Sequence, residues 1–258
     1  MAHVMGPEKN QRIETLESSA RSRRLSNSAL EFFNQCLNFG RSVLPQSCQL
    51  CGAEGAPEPL CAACRADLPS LPSRRCTICA VPLATGSFCG SCLDRPPRYE
   101  RVEAAFLYDY PLDALIHAYK YGGRLALARR LGTALAQTVA RDVDVIVPMP
   151  LSRGRLAERG FNQALEIARI VAGHTRIALL PEACRKVAET PSQAALPWKE
   201  RARNVRRAFV CDADLTGRKV AVVDDVLTTG ATLNELARVL LRAGAAGVRG
   251  WVVARTAR

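Results

Sequence analysis

The stretch Val220-Ala-Val-Val-Asp-Asp-Val-Leu-Thr-Thr-Gly-Ala-Thr232 decides how the rest of the chain is read. Val220 to Val223 form a short apolar run suited to a strand buried on both faces. Asp224 and Asp225 follow at its carboxyl end, where desolvating two charges is costly unless a ligand or metal meets them. Val226, Leu227, Thr228, Thr229, Gly230, Ala231 and Thr232 complete the segment. They stand directly before a helical stripe of Leu233, Leu236, Leu240 and Ala243 that stops at Gly244. Hydroxyl donors, unhindered backbone N–H groups and a helix N-terminus then converge on one point, which makes a phosphate cradle. Paired carboxylates beside such a cradle suit a phosphorylated sugar, because they accept from vicinal ring hydroxyls. No Gly-Lys-Ser/Thr and no Gly-x-Gly-x-x-Gly occurs in it, so it is neither a P-loop nor a dinucleotide fingerprint. Read blandly, the same Asp and Thr residues would only form and cap a strand-to-helix turn.

Outward from this segment, strand and helix patterns alternate. Arg101–Tyr108, Val143–Val147 and Trp251–Ala254 read as strands, and 111–119, 125–139, 162–172 and 233–243 as helices. Such alternation implies an α/β domain over residues 98–258, with a mainly parallel sheet covered by helices on both faces. Ligands of such sheets sit beyond the carboxyl ends of the strands. Pro148-Met-Pro150 ends a second strand at that same edge. Arg153, Arg155 and Arg159 follow it in what reads as one loop, placed to meet a multiply charged anion. Lys186, Gln193 and Arg201 lie in a polar stretch that reads either as a flap over the ligand or as a plain surface loop.

Ahead of this domain, eight cysteines fall as Cys48-x2-Cys51, Cys61-x2-Cys64, Cys76-x2-Cys79 and Cys89-x2-Cys92, the second quartet displaced from the first by 28 residues at every position. A displacement repeated so regularly marks a duplicated unit. Two thiolates two residues apart chelate one ion from a tight turn, and two such turns complete a tetrahedral S4 site suited to Zn²⁺. Gly52 and Gly90 are expected inside those turns. Residues 45–97 contain too few large apolar side chains for a self-sufficient core, so two structural zinc ions would supply the missing stability. Disulfides and an iron–sulfur cluster are the competing readings. The repeat favours sequential quartets, and a cross-braced arrangement would use the same eight residues. Cys36, Cys184 and Cys211 stand alone and read as small buried hydrophobes. Residues 1–44 read as a tail with a short helix.

Composition restricts the class. The 258 residues are 48% hydrophobic and 23% charged, as in an ordinary globular chain. No run approaches the ~18 apolar residues that a membrane helix needs. The polar first thirty residues do not suit a secretory signal peptide, so a cytoplasmic protein without a membrane span is expected. The net charge of +12 is uneven: Pro148–Lys219 carries 14 basic and 7 acidic residues, more than half of the surplus. A field of that kind draws phosphates, pyrophosphate or a nucleic-acid backbone.

The Val220–Thr232 segment resembles the 13-residue signature for phosphoribosyl pyrophosphate (PRPP) in type I phosphoribosyltransferases. Combined with the cysteine repeat, it resembles the ComF family, competence-associated proteins with a double zinc ribbon and a phosphoribosyltransferase-like domain. Lys120-Tyr-Gly-Gly123, Val147-Pro-Met-Pro-Leu151, Arg159-Gly-Phe-Asn-Gln163 and the spaced Thr190, Gln193, Arg201 and Asn204 extend the resemblance over about residues 45–258. It implies that Asp224 and Asp225 bind the ribose hydroxyls and that Val226–Thr232 bind the 5-phosphate. It further implies that Pro150, Arg155, Arg159, Gly160 and Asn162 meet the pyrophosphate, with Mg²⁺ accompanying PRPP. The function so implied is PRPP binding linked to natural transformation and DNA uptake, with single-stranded DNA and competence-machinery proteins as partners. Two alternatives stay open: an active phosphoribosyltransferase for a nitrogenous acceptor, and a zinc-ribbon single-stranded DNA binder with a regulatory PRPP site.

Overall fold

A computed structural model describes residues 47–55, 58–187 and 208–257. The helix expected within residues 1–44, Cys36, and Thr190, Gln193, Arg201 and Asn204 therefore lie outside the described residues. The chain divides into two compact units, Met1–Cys61 and Ala62–Arg258. Within the first, the Cys48 turn closes through Gly52 N–H donating to the Cys48 carbonyl at 2.9 Å and Cys48 N–H to that of Ala53 at 2.8 Å.

The second unit opens with two short helices, α1 (Ala62–Ala66) and α2 (Gly90–Asp94). There follow β1 (Arg101–Leu107), α3 (Leu112–Tyr121), α4 (Ala126–Thr138), β2 (Val145–Pro148), α5 (Arg153–Arg159), α6 (Gln163–Thr175) and β3 (Ala178–Leu179). A hairpin of β4 (Cys184–Lys186) and β5 (Phe209–Cys211) stands apart from the sheet. Then come β6 (Lys219–Leu227), α7 (Ala231–Arg242) and β7 (Gly247–Arg255). The five-stranded sheet has the order β1-β7-β6-β2-β3 and every pairing in it is parallel, as the alternating pattern predicted.

Successive strand residues face opposite ways, and the sheet uses both sides. Val220, Val222, Val248 and Val252 share a buried cluster with Leu233, Leu236, Ala237 and Leu240 of α7. The intervening Ala221, Val223, Trp251 and Val253 are fully buried on the other side, where α4 and α6 pack against the strands and each other. Trp251 donates its indole N–H to Glu103 Oε2 at 2.6 Å, so its polar edge is satisfied there.

At the outer edge, β1 would present unpaired N–H groups. Val102 N–H donates instead to the Ile78 carbonyl at 2.7 Å, Leu107 N–H to that of Pro69 at 3.0 Å, and Ser70 bridges Phe106. Ala80, Tyr99 and Ile78 join the same apolar cluster as α7. The second cysteine turn is thus built into the sheet's edge and core.

Two elements differ from the sequence reading. The arginines Arg153, Arg155 and Arg159 lie on α5 rather than in a loop, a seven-residue helix with no buried residue and hence no apolar stripe to announce it. Strand β6 does not end at Val223 but runs through the aspartates to Leu227, because β7 continues to pair with it there (Asp224 with Val252, Leu227 with Arg255).

The chain leaves β2 toward β3 and leaves β6 toward β7, so the order reverses between these two neighbours. That reversal opens a crevice at the carboxyl ends of an open α/β sheet. Strand β2 accompanies β6 only as far as the Pro148–Val223 pair. Beyond it, among the described residues, Asp224–Leu227 have a strand on one side only.

Candidate functional site

Each sequential quartet of cysteines is gathered: the sulfurs of Cys48, Cys51, Cys61 and Cys64 form one group and those of Cys76, Cys79, Cys89 and Cys92 another, all within 4.8 Å of one another. This favours the sequential pairing over the cross-braced one. Zn–S bonds of about 2.3 Å in a tetrahedron place sulfurs about 3.8 Å apart, and Cys51–Cys61 and Cys79–Cys89 stand at 3.8 Å and 3.6 Å. These separations fit a single ion, are too long for disulfides and too short to surround an iron–sulfur cluster.

Local electrostatics favour the thiolate at Cys48 and Cys76, whereas burial, with neighbouring thiolates adding to it, pushes the thiols of Cys79 and Cys92 up, so that a cation is needed to hold those two as anions. Burial raises the Cys48 thiol, but the backbone N–H groups of Cys51, Cys61 and Leu50 stabilise its anion and bring it down to about 6. Cys76 comes down to about 7 by the same balance of burial against N–H groups of Cys79, Cys89 and Ile78. Gly52 has the left-handed φ expected of it, +75°, whereas Gly90 simply begins α2. The residue equivalent to Gly52, 28 positions on, is Ala80, which holds a left-handed φ of 57°. Its methyl is buried, and packing into the sheet core offsets the conformational cost.

The second constellation fills the crevice. A cavity of about 350 Å³ is lined by Asp224, Asp225, Val226, Leu227, Thr228, Thr229, Gly230 and Thr232 on one side, and by Pro150, Arg155, Arg159, Asn162 and Lys186 on the other, within the range of small-ligand sites. Ala231 and Gly160 are not on this wall. Ala231 N–H is taken by Thr229 Oγ1 at 3.2 Å, and Gly160 closes α5 through a hydrogen bond to the Leu156 carbonyl.

Asp225 is buried and pairs with Lys120 Nζ at 2.9 Å. Asp224 accepts from the Asp225 N–H at 2.8 Å. Burial and the charge of Asp225 push its carboxyl up to about 7, against the pull of Lys120 and Lys186. Burial opposes the charge on Lys120, but Asp225 and then Asp224 outweigh it and raise its pKa. Lys186, over the Phe209 ring at 5.9 Å, is lowered by burial and by Arg155. Gly230 is at φ +80°, and a Cβ there would come within 2.8 Å of the Tyr99 hydroxyl, so this position requires glycine twice over.

Arg159 donates Nη1 to Gln163 Oε1 and Nη2 to the Tyr121 hydroxyl, each at 3.0 Å. Arg159 and Gln163 both line the cavity, and Arg159 Nε and Gln163 Nε2 are buried with no hydrogen-bond partner among the described residues. Asn162 is the N-cap of α6, accepting from Ala164 N–H at 3.0 Å while its Nδ2 donates to the Met149 carbonyl at 3.1 Å. It therefore fixes the Pro148–Pro150 turn as well as lining the cavity. Asn162→Ala is expected to lower unfolding stability by about 1 kcal/mol, the usual worth of such a cap, measured by urea denaturation.

Lining residues that pattern does not mark as a site include Lys120, Tyr108, Met149 and Gln163. Lys120 sits in the Lys120–Gly123 motif, but nothing in the spacing says that it crosses 105 positions to reach Asp225. Gln193 and Arg201 lie outside the described residues.

Comparison with known proteins gives this constellation relatives. The chain is 37% identical to DNA utilization protein YhgH of Escherichia coli strain K12 over 191 residues, 70% of this chain and 84% of that one. It is 32% identical to competence protein F of Haemophilus influenzae over 209 residues, 76% of this chain and 90% of that one. The chain belongs to the ComF family. Another member, competence protein ComFC of Bacillus subtilis, is 26% identical over 216 residues, 77% of this chain and 85% of that one. A double zinc ribbon domain matches residues 39–93 of this ComF-family chain, spanning both cysteine quartets. Among solved structures, glutamine PRPP amidotransferase from B. subtilis matches 48% of this chain and 25% of its own, with 25% identity and a TM-score of 0.34. No helix among the described residues is long and apolar enough to cross a membrane.

Proposed function

We propose that the crevice between β2 and β6 binds PRPP with Mg²⁺ and that this binding serves DNA uptake. The observation that carries the reading is the convergence of three chemistries on one cavity. The carboxylates Asp224 and Asp225 stand beside the Thr228–Thr232 loop, with Arg155, Arg159 and Lys186 facing them. Asp224 and Asp225 would accept from the ribose hydroxyls. The loop and the N-terminus of α7 would take the 5-phosphate. The arginines would neutralise the pyrophosphate, and the partnerless Nε of Arg159 and Nε2 of Gln163 are donors that its oxygens would satisfy after small rotations. Mg²⁺ would enter with the pyrophosphate and supply charge neutralisation.

The names of the relatives, DNA utilization protein and competence protein F, support the assignment to DNA uptake. The +12 net charge supports contact with a polyanion. Zinc in the two S4 groups would be structural, since four thiolates leave no open coordination position.

The test is thermal. A ligand that binds only the folded chain stabilises it by about 2.7 kcal/mol at a concentration of 100 Kd, equivalent to roughly 5–10 °C in a chain of this size. PRPP with Mg²⁺ should raise Tm by that much. An unchanged Tm at millimolar PRPP sinks the proposal.

A further inference from the structure

Arg255, the last residue of β7, is a buried cation whose partners belong to two different sites. Its side chain is 2% exposed. On one side Nε donates to the Cys79 carbonyl at 2.8 Å, and Nη2 reaches Cys79 Sγ at 3.9 Å. On the other, Nη1 donates to the carbonyls of Leu227 at 3.1 Å and Thr228 at 2.6 Å. Among the described residues none of its hydrogen-bond partners is a carboxylate. A guanidinium removed from water needs compensating charge. The nearest source is the sulfur group of Cys76, Cys79, Cys89 and Cys92, whose four thiolates around one divalent ion carry a net charge of −2.

The other end of the contact sets the loop. In a planar trans peptide the C=O and N–H point opposite ways. Drawing the Leu227 and Thr228 carbonyls toward Arg255 therefore turns the N–H groups of Thr228 and Thr229 away from it, and both residues line the cavity. Tyr99 adds a second contact, its hydroxyl lying 2.8 Å from where a Gly230 Cβ would stand.

We propose that Arg255 is a positioning residue through which the metal held by the second cysteine group sets the shape of the phosphate loop. The proposal rests on the reading that this loop takes the 5-phosphate. Metal–thiolate charge anchors the guanidinium, the guanidinium anchors two loop carbonyls, and the loop presents its N–H groups ready-made. Coupling of this kind is reciprocal: occupation of the loop must be felt at the metal.

The experiment uses the full chain with Co²⁺ in place of the native metal. Adding PRPP with Mg²⁺ should perturb the thiolate-to-cobalt absorption in wild type and leave it unperturbed in Arg255→Gln. Arg255→Gln should also bind PRPP roughly ten- to hundred-fold more weakly while retaining its full metal content, with Arg255→Lys in between because it restores the charge but not the fork. Hydrogen exchange at the Thr228–Thr232 amides should quicken in Arg255→Gln while that of the β6 and β7 core amides stays unchanged. Unchanged loop exchange overturns the coupling, whether or not PRPP binds. PRPP that fails to bind wild type while loop exchange still responds to Arg255→Gln overturns the ligand reading and leaves the coupling standing. Should Arg255→Gln fail to fold, Arg255→Lys decides the same question.

Discussion

Asp224→Asn is expected to make the ligand-free protein more stable at pH 8 and to weaken its response to PRPP. The Asp224 carboxyl is raised from 3.8 to about 7, burial being the largest cause and the neighbouring Asp225 the next. The folded chain thus holds a proton that the unfolded chain has released across the window between these values. Where the unfolded state binds fewer protons, stability falls as pH rises. The contribution of this group is therefore unfavourable throughout pH 4–7 and fully so above pH 7. Asparagine keeps the shape and cannot ionise. The gain in the variant should be near zero at pH 4 and grow to on the order of 4 kcal/mol by pH 8, about 8–16 °C in Tm. The same substitution removes an ionised acceptor for a ribose hydroxyl, where such bonds are worth about 1.5–3 kcal/mol, so PRPP affinity should fall at least ten-fold. Melting curves at four pH values, with and without PRPP, check both halves. A gain that does not grow with pH would show that the Asp224 environment is not the one described.

Removing metal from the second cysteine group should cost more stability than any other change considered. Binding of structural Zn²⁺ to such sites is worth about 10–16 kcal/mol near neutral pH, and the Cys76–Cys92 turns share their apolar cluster with the sheet through Ile78, Ala80 and Tyr99. Cys89→Ser, which takes away a buried ligand, should bring the metal content from two ions per chain toward one and lower Tm by well over 10 °C, a loss of several kcal/mol. Cys51→Ser removes an exposed ligand of the first group and should lose its metal with a much smaller shift in Tm. Elemental analysis beside calorimetry separates the two. Equal shifts from both variants would contradict the core role of the second group.

Much of this architecture is legible in the sequence because it rests on periodicity. Val220–Val223 before two aspartates, the Leu233–Leu240 stripe and the 28-residue cysteine displacement each announce an element by spacing alone. The illegible parts are those where a polar residue sits where pattern forbids it. Asp224 and Asp225 continue a strand because β7 still offers partners. Arg255 is buried at a strand end because sulfur and carbonyls receive it. Helix α5 has no apolar face to read, so its arginines pass for a loop. Lys120 becomes a site residue only through the fold, which carries α3 to the end of β6. The phosphate loop is legible as a motif, whereas what holds it in shape is contributed by Tyr99, Cys79 and Arg255, far away in sequence.

Pro69, Ser70 and Ile78 take up hydrogen bonds along the edge of β1 at Val102, Phe106 and Leu107, which gives the cysteine-rich segment an architectural duty. A fragment beginning at residue 98, where composition suggests a clean cut, would expose a raw β border able to recruit the same border of another fragment and grow into polymer. Exchange of ribbons between relatives is constrained accordingly: a transplanted second ribbon must bring its own hem for the sheet.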